Sequence, residues 1–162
     1  MAGCGQEHGL RPGTLAAHQI LGLSSALRRA AERFDTDRQR VATLEQRLID
    51  GLSALLPVQV HGDPARTSSY ILSLSIEGVT SDALINQLAQ QLAIGSGSGS
   101  GSGSACGSGT IEPSHVLRAM GIEGDPLYGA VRISFSRDHT EADIDTAADC
   151  ILSAVERIRE LH

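Results

Sequence analysis

Residues 95–104 are five uninterrupted Gly-Ser pairs, and no part of a hydrophobic core can be built from them. Such a run has no apolar area to bury and reads as a flexible coil, reaching roughly 17 Å from end to end on average. The core must therefore be assembled from the segments on either side. Its materials are narrow. Apolar residues make up 41% of the chain but aromatics only 2%. Leu, Ile, Val and Ala must do the packing, a mix that suits helices with a few aliphatic strands. The 162 residues are enough for one domain with a real core.

On the N-terminal side, Gly3, Gly5, Gly9 and Gly13 mark residues 1–14 as loop. Residues 15–34 place Ala16, Ile20, Leu23 and Leu27 at helical spacing. Residues 36–56 do the same with Val41, Leu44, Leu48, Leu52 and Leu55, with Arg38, Arg40, Glu45 and Arg47 towards solvent. Pro57 ends this second helix. Residues 58–61 read as a short strand closed by Gly62-Asp63-Pro64. Residues 70–76 read as another, whose tail alternates apolar residues with Ser. Thr80 or Ser81 caps a helix through Leu92, with Leu84, Ile85, Leu88 and Leu92 inward.

Beyond the coil, Glu112-Pro113-Ser114 opens a short helix through Met120, with Gly121 as its cap. Residues 130–135 alternate Val131, Ile133 and Phe135 with Arg132 and Ser134, the pattern of a strand. Thr140 to Asp143 resembles a capping box. The last helix then buries Ile144, Ala148, Ile151, Leu152, Val155 and Ile158. The expected fold is α+β: a small, mainly antiparallel sheet with helices on one side.

The net charge of −6 argues against a nucleic-acid-binding surface. No apolar run approaches the length of a membrane span, and the start of the chain lacks the apolar stretch of a signal peptide. Three cysteines, Cys4, Cys106 and Cys150, form no disulfide pattern and fit a cytoplasmic protein. No Cys/His spacing suggests a zinc site. All 13 basic residues are Arg. With no lysine, chemistry that needs a Schiff-base lysine cannot be completed by this chain alone.

Candidate chemistry begins with Cys106, between Ala105 and Gly107. An unpacked position lets a cysteine react as its thiolate, though an inert exposed thiol fits the same surroundings. Cys150, on the apolar side of the last helix, reads as packing, and Cys4 has no evident role. Arg132 could grip a carboxylate with its two-pronged fork, or lie on the solvent face of an edge strand. Arg11 and Thr14 could help hold an oxyanion at the start of a helix, or belong to a plain loop. His18 and His115 are single histidines on helices and read as solvent-facing or satisfied rather than as ligands. The Gly-Ser run reads either as part of a functional mobile loop, about 95–110, or as a designed or slipped-repeat linker without a role.

Four stretches carry a family resemblance. Residues 3–14, Gly-Cys-Gly-Gln-Glu-His-Gly-Leu-Arg-Pro-Gly-Thr, resemble the glycine-rich segment of the cysteine desulfurases, pyridoxal-phosphate enzymes of the class V aminotransferase fold. Ser104-Ala105-Cys106 with the run from Ile111 to Gly121 is similar to that family's catalytic loop and the helix after it. Val131-Arg132-Ile133-Ser134-Phe135-Ser136 is similar to its arginine strand, and Thr140-Glu141 to Ile144-Asp145 to the start of its last helix. The resemblance implies the C-terminal part of such an enzyme: residues 1–14 as the tail of the cofactor domain and 15–162 as the small domain. It implies removal of sulfur from L-cysteine to give L-alanine and a persulfide on Cys106. Arg132 would bind the substrate carboxylate, and Thr14 would contact the cofactor phosphate of the partner subunit in a dimer. The sulfur would pass to an acceptor protein, in iron–sulfur cluster assembly or another thiolation route. The alternative is a non-catalytic sulfur-relay or docking domain, in a homodimer or beside a chain that carries the large domain. The sequence departs from the family in the lengthened Gly-Ser loop, in Cys4, His8 and Gly107, and in Ser69-Tyr70 before the strand.

Overall fold

A computed structural model describes residue 8, residues 13–96 and residues 114–161. The chain divides into two compact units, residues 1–36 and residues 37–162.

The first long helix, α1 (Ala17–Ser53), is unbroken where the sequence reading has two helices meeting near Asp35. The reason is local. No Gly or Pro lies between Phe34 and Asp37, and Ile20, Leu27, Phe34, Val41 and Leu48 recur every seventh residue without a change of phase. In the first unit this stripe is uncovered: Ile20, Leu23, Leu27 and Phe34 are all exposed. In the second unit the same helix buries Val41, Leu44, Leu48 and Leu52.

The second unit is a four-stranded antiparallel sheet packed with helices, as an α+β reading requires. Its strands are β1 (Val58–Val60), β2 (Ile71–Ile76), β3 (Gly95–Ser96) and β4 (Val131–Ser134), in the order β1-β2-β4-β3. Leu72, Leu74, Ile76, Val131 and Ile133 form one core with the buried stripe of α1, with Leu84 and Leu88 of α2 (Ser81–Leu88), and with Ile144, Ile151, Val155 and Ile158 of α5 (Glu141–Glu160). Cys150 packs against this core, as its place on the helix suggests. A smaller cluster joins Leu117 of α3 (His115–Ala119), Leu127 of α4 (Asp125–Tyr128) and Ala130.

The helix starts follow capping chemistry. Thr80 accepts from the Ala83 N–H, and Ser114 from the Leu117 N–H. Thr140 and Asp143 form a complete reciprocal box. Gly121 follows the Met120 cap with φ +81°, a conformation in which glycine carries no steric cost.

Three further differences from the sequence reading have physical causes. α2 stops at Leu88, so Leu92 leaves the helix and is only partly buried beside the core. α4 was not anticipated, because four residues are too few to show a helical period. Gly95 and Ser96, read as coil, form β3. Strand pairing uses backbone groups only, so a segment without apolar side chains can still complete an edge.

The turn after β4 is fastened to α1. Arg40 donates to the carbonyls of Arg137 and His139, at 3.0 and 2.9 Å. Arg137 donates to the buried carboxylate of Asp37 at 3.0 Å, and that partner raises the Arg137 pKa. Arg47 binds both carboxylate oxygens of Asp145 on α5, at 2.7 and 2.8 Å. These contacts hold α1 against the turn after β4 and against α5, while pairing with β2 and β3 holds β4 in the sheet.

Candidate functional site

Strand alternation puts the core on one face of the sheet and a polar row on the other. Along β2, Leu72, Leu74 and Ile76 enter the core, which leaves Ser73 and Ser75 on the opposite face. Ser73 is the register partner of Arg132 on β4, and Arg132 is the register partner of Gly95 on β3. His61 follows β1 directly, and its N–H donates to the Ser73 carbonyl at 2.9 Å. His61, Ser73, Arg132 and Gly95 thus line up across the whole sheet.

His61 is the buried end of this row. Its Nδ1 lies 3.0 Å from Ser73 Oγ and its Nε2 2.8 Å from Ser75 Oγ, so both ring nitrogens are engaged. Burial pushes its pKa below the ordinary 6.5, because the charged ring loses its water. The imidazole is therefore neutral near pH 7 and serves as a clamp between two serine hydroxyls.

Arg132 is the exposed part of the row. It is not on an edge strand: β4 lies between β2 and β3. No residue among those described accepts a hydrogen bond from its guanidinium or pairs with it. A free fork on a rigid inner strand is suited to a carboxylate or another planar anion.

Thr14 is exposed in the first unit, ahead of α1. Cys106, and with it most of the expected loop 95–110, lies outside the described residues, as do Cys4 and Arg11. His18 and His115 are exposed. Among the described residues no group of His, Cys, Asp and Glu could hold a metal ion, and no helix is long and apolar enough to cross a membrane. His61, Ser73, Ser75 and Gly95 were not singled out from the sequence. The Ser-Leu-Ser alternation in residues 73–75 was the available signal, since it leaves two hydroxyls on one face of a strand.

Comparison with known proteins places this geometry in a family. Residues 4–146 match the aminotransferase class-V family, and the chain belongs to it. It is 40% identical over 161 residues to a protein from Photobacterium profundum named cysteine desulfurase IscS, a match that takes in 99% of this chain and 38% of that protein. A protein of the same name from Klebsiella pneumoniae is 39% identical over 159 residues, with 98% and 38% covered. Among solved structures, a NifS-like protein superimposes with a TM-score of 0.77 at 25% identity, covering 96% of this chain and 38% of its own. DndA from Streptomyces lividans does so with a TM-score of 0.56 at 31% identity, covering 84% and 36%. The chain is similar to cysteine desulfurases along nearly all of its length, and it spans 38% of the length of these curated relatives.

Proposed function

We propose that this chain is the substrate-gripping and sulfur-carrying part of a cysteine desulfurase. The observation that carries the reading is Arg132, a guanidinium without a partner among the described residues, on the polar face of a sheet in a fold similar to that of a NifS-like protein. In this reading Arg132 holds the carboxylate of L-cysteine. The Cys106 thiolate attacks the substrate sulfur; the carbon–sulfur bond breaks and a sulfur–sulfur bond forms. Cys106 is left as a persulfide, and the three-carbon remainder takes a proton and leaves as L-alanine. Pyridoxal phosphate, when bound, supplies the electron sink for that cleavage.

The chain's own residues fit the cofactor only in part. Thr14, exposed ahead of α1, can donate a hydrogen bond from its hydroxyl to a phosphate, and in this reading residues 1–14 are the tail of the cofactor domain. No lysine is present to hold the cofactor covalently. That lysine must come from outside these 162 residues, whether from a longer stretch of the same chain, a large-domain chain or a dimer partner, and a separate acceptor protein then takes the sulfur. The site of action in this reading is the cytoplasm. The missing lysine also favours a second reading, a non-catalytic relay that receives sulfur already mobilised elsewhere.

Mass spectrometry after exposure to a small-molecule persulfide tests the carrier role. Cys106 gains about 32 Da, one sulfur atom, and Cys106→Ala does not. Labelling of Cys150 instead would sink the assignment. Incubated with pyridoxal phosphate and L-cysteine, the chain alone yields no more alanine than the cofactor-only control. Turnover above that control would contradict the need for a lysine from outside these residues.

A further inference from the structure

Gly95 has no conformational reason to be glycine. The glycines with positive φ among the described residues are Gly13, Gly62, Gly78, Gly121 and Gly124, so the backbone at position 95 is open to any L residue. It also sits in a strand, where glycine is unfavourable and often marks the close approach of another group. That group is Arg132. A Cβ built on Gly95 would lie 3.3 Å from Nη2 and 3.6 Å from both Cζ and Nε of Arg132. An approach along the edge of a guanidinium would leave the central Cζ farther away than both nitrogens. Here Cζ is no farther than Nε, so the guanidinium presents a face to position 95.

We propose that Gly95 is a positioning residue for Arg132: its bare backbone is a shelf on which the guanidinium lies flat. The N–H bonds of a guanidinium lie in its plane, so a shelf that takes only one face leaves the fork's edges free for a carboxylate. The shelf also restrains a side chain that otherwise carries much rotamer freedom, and so lowers the entropic cost of binding. A Cβ at position 95 meets Nη2 at a tight 3.3 Å, so the group must give way by a few tenths of an ångström, and a larger side chain displaces and loosens it further. The proposal rests on the reading of Arg132 as the carboxylate grip, and deepens it by naming what holds the grip ready.

Arginine side-chain NMR on the isotope-labelled full chain tests the proposal. Arg132→Lys identifies the Arg132 Nε–Hε signal by removing it. In Gly95→Val the order parameter of that bond falls by about a third relative to the unsubstituted chain, from the rigid towards the flexible range. Gly95→Ala gives a smaller change in the same direction, and serves alone if the valine variant does not fold. Titration with L-cysteine then shows an apparent affinity weakened roughly two- to tenfold in Gly95→Val, the effect of ordering one more side chain on binding. A purely structural role for Gly95 would move the unfolding midpoint and leave Arg132 order unchanged. Unchanged order in both variants overturns the shelf. An unsubstituted chain whose Arg132 signal ignores saturating L-cysteine overturns the carboxylate reading instead, and the order comparison still decides on the shelf.

Discussion

On one face of the sheet Leu72, Leu74, Ile76, Val131 and Ile133 are packed beneath three helices; on the other stand His61, Ser73, Ser75 and Arg132. The strands β2 and β4 supply residues to both sets. The packed face takes its order from close contact among aliphatic side chains, which is indifferent to direction. The polar face takes its order from hydrogen bonds and register, which are directional and place specific groups opposite one another. Stability and site chemistry can therefore be altered separately, and each of the following substitutions tests that separation.

The largest effect should fall on the packed face. Leu74 is 1% exposed. Leu74→Ala should cost about 2–5 kcal/mol in urea unfolding, through lost burial and a residual cavity. A loss well below 1 kcal/mol would mean that this face is not the core. The buried end of the polar face comes next. His61→Ala should cost about 1–3 kcal/mol, since Ser73 and Ser75 lose a shared partner.

His61 also gives the polar face a pH response. Its folded pKa is lowered from 6.5. As pH falls below 6.5 the unfolded chain takes up a proton that the folded ring resists, so stability declines and then levels off below the folded pKa. Stability curves measured from pH 7.5 down to 5 (about the range in which histidine titrates) should converge for the unsubstituted chain and His61→Ala. Parallel curves would remove His61 from the account. The smallest effect belongs to Arg132→Ala. It should change stability by less than about 0.5 kcal/mol, as for an exposed side chain with no partner among the described residues, while abolishing the L-cysteine binding proposed for it. A loss above 1 kcal/mol would make Arg132 part of the framework and collapse the contrast between the faces.

Some of this was legible in local pattern and some was not. Thr80, Ser114 and Thr140 announce their helices because a cap is a contact within three residues. The helix break expected near Asp35 is absent, because apolar periodicity marks helical faces well but marks the join between two helices only through Gly or Pro. β3 was hidden inside a Gly-Ser run, since nothing in its side chains records that its backbone groups find β4. The edge-strand alternative for Arg132 failed for the same reason: a strand's own residues do not say what lies on either side of it.

Cys106 stands differently. The role proposed for it rests on the motif around it, and the residue lies outside the described residues.

Periodicity and capping residues follow from short-range sterics and hydrogen bonds, and they were sufficient for the fold class; the proposal of Arg132 rests on the family motif. The row from His61 through Ser73 and Arg132 to Gly95 required the folded sheet. Its members come from separate segments, and long loops leave their pairing undetermined until packing fixes the register. Even the reason for glycine at position 95 belongs to that level: it lies in the face of Arg132 on the neighbouring strand, and in nothing adjacent along the chain.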